Sequence, residues 1–129
     1  MPLFSGAKPP RYYYTETEVI GVPAANSKTN AALDKDEGRF IITGLPLHKY
    51  AFKTSALLNI ALTAPYMHNG VFKTLETVVD FYNNGGGKGL KFGLQNQILP
   101  FDKLGLTTTE KRIIIAFLKT LTDKKYSLK

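Results

Sequence analysis

At 129 residues, 43% of them hydrophobic, the chain is long enough for one cored domain and small for two. It contains no cysteine, which excludes disulfides, cysteine-ligated zinc, iron–sulfur clusters, cysteine nucleophiles and thioether attachment of a cofactor by this chain alone. The formal charge of +7 raises the question of nucleic acid, but the lysines and arginines are scattered apart from Lys124, Lys125 and Lys129. They read as a solvated basic surface, with no nucleic-acid site, that could steer an acidic partner.

The strongest apolar stretch, Ala56 to Ala64, is interrupted by polar residues and falls short of a membrane span. Met1-Pro2-Leu3-Phe4 offers neither a basic n-region nor a long apolar h-region, so no signal peptide is read there.

Residues 1–50 read as an irregular wrapping segment and residues 51–129 as the helical part of a single domain. Pro9-Pro10 precedes Arg11-Tyr12-Tyr13-Tyr14, and the loose alternation of Thr15 to Val22 predicts a short strand. Asn26 to Asp36 is polar and predicts loop with a brief helical turn. Gly38, Gly44 and Pro46 bracket a strand-like piece, Arg39-Phe40-Ile41-Ile42-Thr43.

Thr54 to Ala61 predicts a helix that Pro65 ends. Thr74 is placed to cap a second helix, with Glu76 near its positive end. Leu75, Val78, Val79 and Tyr82 recur at helical spacing and share one face. Asn83-Asn84-Gly85 stops that helix, and Gly85 to Gly93 reads as a flexible loop without a phosphate-binding context. Thr107 and Glu110 form a capping box for a last amphipathic helix carrying Ile113, Ile114, Phe117, Leu118 and Leu121 to the core.

No complete catalytic constellation is visible. The two histidines, His48 and His68, make no metal-binding pair, and no serine sits in a nucleophile elbow. One segment stands apart: Thr63-Ala64-Pro65-Tyr66-Met67-His68-Asn69-Gly70 sets two bulky side chains and an imidazole between a proline and a glycine. Such a loop can present backbone carbonyls and a ring to a ligand, or serve as a packed corner.

That loop and its flanks carry a resemblance. From Phe52 through Gly70, on through Val71-Phe72-Lys73-Thr74-Leu75-Glu76 and Phe81-Tyr82-Asn83, the sequence resembles the hallmark region of bacterial di-haem cytochrome c peroxidases and MauG-like proteins. Gly38-Arg39-Phe40, Thr43-Gly44 and the closing Ile115 to Thr122 also match, so about ninety residues take part. Pro2-Leu3-Phe4-Ser5-Gly6 is similar to the family's residues immediately downstream of the second haem-attachment motif, Cys-x-x-Cys-His, which places the chain just after that motif. The resemblance implies a mainly α, cytochrome c-like partial domain lacking its haem-attachment segment, with long irregular segments and one small β-hairpin.

It further implies a periplasmic oxidoreductase acting on hydrogen peroxide. An N-terminal haem domain and a redox protein are the implied partners. Haem c is implied for the full-length protein, though not for this chain alone, and calcium is implied in the cleft between the haem domains. The family's distal iron ligand lies fourteen residues beyond the loop histidine, here at Tyr82; peroxidases proper carry methionine there and MauG-type relatives tyrosine. An oxygen ligand favours ferric and higher-valent iron. The backbone carbonyls of Thr63 and Pro65 resemble calcium ligands, and His68 resembles a haem-proximal residue. Ser55 and Leu58 stand where the family usually has proline and arginine, and with the missing cysteines they motivate an alternative, a haem-free structural or interaction module. A cavity without its cofactor would expose Leu75 and Val78 and favour self-association.

Overall fold

The computed structural model describes residues 17–27, 31–99 and 102–127. The expectations for Pro2 to Gly6, for Pro9 to Tyr14 and for the first two residues of the predicted strand lie outside these. The described part is mainly helical, with one small antiparallel sheet.

Strand β1, Thr17–Val19, pairs with β2, Ala51–Lys53, in the register Thr17 to Lys53, Glu18 to Phe52 and Val19 to Ala51. Side chains alternate across a strand, so the Val19–Ala51 pair enters the interior while Glu18 and Phe52 face the other way. The two strands lie far apart in sequence, so the sheet is not the expected hairpin. The segment between them loops back through a bridge between Pro23 and Leu33, and the helical turn expected within Asn26 to Asp36 does not form among its described residues.

Arg39 to Thr43 departs from its expected strand. Helix α1, Phe40–Thr43, forms instead, followed by a 3₁₀ turn at Pro46–His48. Gly38 and Gly44 both adopt left-handed φ, 61° and 66°, and close a turn around the four residues. A strand there would also need a sheet to cover it, whereas Ile41 and Ile42 are 70% and 88% exposed.

The helix expected over Thr54 to Ala61 is also absent. Residues 54–57 run without regular structure, Asn59 takes a left-handed φ of 62°, and only a 3₁₀ turn, Ile60–Leu62, follows. Helix α2, Leu75–Asn83, forms as predicted, and the Thr74 hydroxyl accepts a hydrogen bond from the Thr77 backbone N–H. Beyond it the glycine stretch is packed rather than flexible. Gly86–Gly89 makes a short helix, α3, and Gly87 lies so near Gly21 that a Cβ on either would come within 2.6 Å of the other's Cα. Gln97 fastens this turn, donating to the Gly85 carbonyl (2.8 Å) and accepting from the Lys88 N–H (2.8 Å).

Helix α4, Thr108–Thr120, carries the complete capping box, and Lys124–Ser127 forms a final turn, α5. The core gathers Tyr66, Phe72, Leu75, Val79, Phe81 and Ile115 where α2 packs on α4. Only part of the expected α4 stripe enters it. Ile115 is buried and Leu118 packs against the cluster, but Ile113 and Phe117 are exposed. Leu75 is buried and Val78 half-buried, so the surface apolar groups are not those expected; Ile42, Leu47 and Leu58 are among the ones exposed.

Candidate functional site

The loop from Thr63 to Gly70 is held tightly by its own chemistry. The Tyr66 N–H donates to the Phe72 carbonyl (2.7 Å), and the Tyr66 hydroxyl donates to the Ile60 carbonyl (3.0 Å). Met67 and Gly70 take left-handed φ values of 72° and 66°, and the Gly70 N–H donates to the Met67 carbonyl. The Ala64–Pro65 bond is cis. Asn69 finishes the corner: its side-chain N–H donates to the Pro23 carbonyl (2.9 Å), and its side-chain oxygen accepts from the Val71 N–H.

This loop, the outer face of the two-stranded sheet, α2 and α4 enclose a cavity of about 790 Å³. Its walls are largely apolar, with Ile20, Phe52, Ile60, Leu75, Val79 and Ile114 contributing. That size and character are those of a site for a cofactor or a drug-sized ligand. The polar groups on its walls are few: Glu18, His68 and Tyr82 among them.

Tyr82 comes from the predicted face of α2, and all four residues of that face, Leu75, Val78, Val79 and Tyr82, line the cavity. Its ring packs edge-on against Phe81, 5.7 Å between centroids. Its hydroxyl makes no hydrogen bond within the described residues. Burial pushes the phenol above its ordinary pKa, and the negative charge of Glu18 adds to the effect. A mostly buried phenol without a partner among the described residues leaves its oxygen available to a ligand in the cavity.

His68 stands at the wall with its ring stacked on Phe52, centroids 3.7 Å apart and planes 8° from parallel. Its main chain faces solvent, but its side chain is only 16% exposed. The Nε2 atom lies 2.5 Å from Asp34 Oδ2. Burial raises the Asp34 pKa, yet the hydrogen bonds from His68, Lys35 and Asn69 and the charge of His68 outweigh it, so the carboxyl sits below its usual range.

Thr63 and Pro65 also reach the cavity, and their backbone carbonyls accept no hydrogen bond from the described residues. Two such oxygens suit a hard cation but do not complete its shell. Among the described residues no group of three or more His, Cys, Asp or Glu is gathered. His48 plays no part in the cavity; its Nδ1 lies 2.8 Å from the Thr43 hydroxyl. The structure thus brings His68, Tyr82, Thr63 and Pro65 to one cavity. It adds Phe52 and Glu18 on the cavity wall, and Asp34 bonded to His68, none of which sequence reasoning singled out as a site residue.

No family model matches the chain. Curated relatives do. The chain is 42% identical over 89 residues to cytochrome-c peroxidase IdrP2 of Denitromonas iodatirespirans, covering 69% of this chain and 22% of that protein. It is 35% identical over 102 residues to methylamine utilization protein MauG of Methylorubrum extorquens, covering 79% of this chain and 26% of that one. The crystal structure of a MauG-like protein associated with microbial copper homeostasis superposes with a TM-score of 0.67 at 35% identity, over 84% of this chain and 33% of the other. The fold and cavity define a mainly helical segment built around a largely apolar cavity. That segment belongs to the cytochrome-c peroxidase and MauG family. It spans about a quarter of the length of these curated relatives.

Proposed function

We propose that this chain is the second-haem domain of a periplasmic cytochrome-c peroxidase or MauG-like oxidoreductase and folds as one cytochrome c-like unit. The observation that carries the reading is the Tyr82 hydroxyl, without a hydrogen-bond partner among the described residues, on the wall of a largely apolar cavity of about 790 Å³. A haem would supply a redox-active iron and a flat apolar body that such walls can hold. The chain has no cysteine, so the covalent anchor and the proximal histidine come from residues outside it.

Within this reading the chain's own residues do four things. Tyr82 would offer its oxygen to the iron, whose charge would oppose the effect of burial and Glu18 on the phenol. Leu75, Val79 and Ile114 keep water from the face of the cofactor. His68 meets its edge. The carbonyls of Thr63 and Pro65 bind a calcium ion that an N-terminal haem domain helps to coordinate. Hydrogen peroxide, the oxidant, would be reduced at that other haem with electrons supplied by a redox partner protein, and this domain would relay those electrons or store the oxidising equivalents that peroxide leaves.

The test is to produce the full-length protein under cytochrome c maturation conditions and measure its absorption spectrum and covalent haem content. The reading expects two covalent haems, one of them attached in the segment that precedes this chain. A protein without haem at that position would favour a second reading, a haem-free structural or interaction module. The lack of cysteine and the 65%-exposed Leu58, where the resemblance expects arginine, motivate that alternative.

A further inference from the structure

Asp34 belongs to the irregular N-terminal segment, far in sequence from the hallmark loop, yet its carboxylate collects three N–H donors. Its Oδ1 accepts from the Lys35 backbone N–H at 2.8 Å. Its Oδ2 accepts from His68 Nε2 at 2.5 Å and from the Asn69 side-chain amide at 3.3 Å. Both oxygens must therefore be acceptors, which an ionised carboxylate provides and an amide does not. The arrangement assigns the hydrogen to Nε2 of His68, because the acceptor opposite has none to give.

The holder is itself held. The Asp34 N–H donates to the Val22 carbonyl (3.1 Å), and Asn69 ties the same corner to the Pro23 carbonyl (2.9 Å). Phe52 fixes the plane of the imidazole from its face while Asp34 fixes its edge. Nδ1 is then the remaining ring nitrogen, and no described residue hydrogen-bonds to it. His68 lies on the cavity wall, where Lys53 is the other residue able to carry positive charge.

We propose that Asp34 is a positioning residue for His68, holding the ring so that Nδ1 meets the anionic, carboxylate-bearing edge of the macrocycle bound in the cavity. The inference rests on the haem reading above. A ring so held has its Nε2–H engaged by Asp34 and turns Nδ1 toward the cavity, where an N–H at that atom would donate to a carboxylate of the cofactor. Outer residues of this kind set the potential of a metal centre through the groups they orient.

The experiment is a potentiometric titration of the full-length, haem-loaded protein, following the haem of this domain with the other haem as internal reference. Asp34→Asn leaves the three donors facing one oxygen and an NH₂ group, so His68 loses its fixed orientation. The expected result is a shift in the reduction equilibrium of this haem by about tenfold. His68→Gln shifts it in the same direction, the double variant shifts it no further, and Asp34→Glu returns it toward the wild-type value. An unshifted potential in Asp34→Asn overturns the proposal, as does a double variant whose shift is the sum of the two single ones. Should Asp34→Asn fail to fold, an unshifted His68→Gln overturns it equally. Haem content is measured first: a wild-type protein without haem in this domain removes the functional reading and this inference together. Haem present with an unmoved potential removes the inference alone.

Discussion

Phe52 and His68 lie face to face at 3.7 Å, joining the second strand of the sheet to the tight loop that closes the cavity. The contact exists because Phe52 pairs with Glu18 in the strand register, which turns both toward the cavity. Replacing Phe52 with Leu keeps an apolar side chain but removes the ring face. Stability is expected to fall by about 1 kcal/mol, measured by urea unfolding of the full-length protein. An unchanged midpoint would show that the stack contributes nothing to stability.

The glycines predict opposite outcomes at two nearby positions. A Cβ at Gly87 would meet the Gly21 Cα at 2.6 Å and its carbonyl at 2.8 Å, both backbone atoms that cannot swing away. Gly87→Ala is expected to destabilise by about 1–3 kcal/mol. At Gly93 nothing lies within 4 Å, so Gly93→Ala is expected to stay within about 0.5 kcal/mol of wild type. Thermal unfolding of the two variants checks the pair.

Acid should loosen the corner that Asp34 holds. Its folded-state pKa lies below the ordinary 3.8, so the ionised form is favoured by folding. That contribution is fully present above the ordinary value and is lost as the pH falls through the lower, folded one. Asp34→Asn is therefore expected to be less stable than wild type at neutral pH, with the gap closing on acidification below about pH 4. Urea midpoints across that range measure it; a gap that stays constant with pH would contradict the assignment.

The capping box of α4 gives a local test. Thr107 accepts from the Glu110 N–H at 3.2 Å while the Glu110 carboxylate accepts from the Thr107 N–H at 2.7 Å. Thr107→Ala is expected to cost about 1 kcal/mol. The helix also carries the cavity residues Ile114 and Leu118, so on the haem reading proposed above, haem retention should weaken in parallel.

Helix α2, helix α4 and their caps were legible in the sequence because each is set by neighbours three or four residues apart. The face shared by Leu75, Val78, Val79 and Tyr82 was equally plain, and the structure turns that face to the cavity. Local rules failed where distant segments decide the outcome. Arg39 to Thr43 has strand-forming residues, but its pairing with β2 stops at the Gly38–Ala51 bridge, where Gly38 and Gly44 close it into a turn. Gly85 to Gly93 reads as a free loop until Gly21 and Gln97 pack against it. Asp34 gave no signal, because its partners His68 and Asn69 are brought to it only by the fold.

The central claim is that the Tyr82 oxygen binds the iron of a haem held in the cavity, and Tyr82→Phe in the haem-loaded, full-length protein tests it most directly. The substitution removes one oxygen and keeps the ring packed edge-on against Phe81, so unfolding stability should change little. With Tyr82 as ligand, the absorption spectrum of the second haem shifts away from the six-coordinate form and stabilisation of its high-valent state weakens. A Tyr82→Phe protein whose haem spectrum matches wild type would contradict the claim and leave Tyr82 as part of the cavity wall alone.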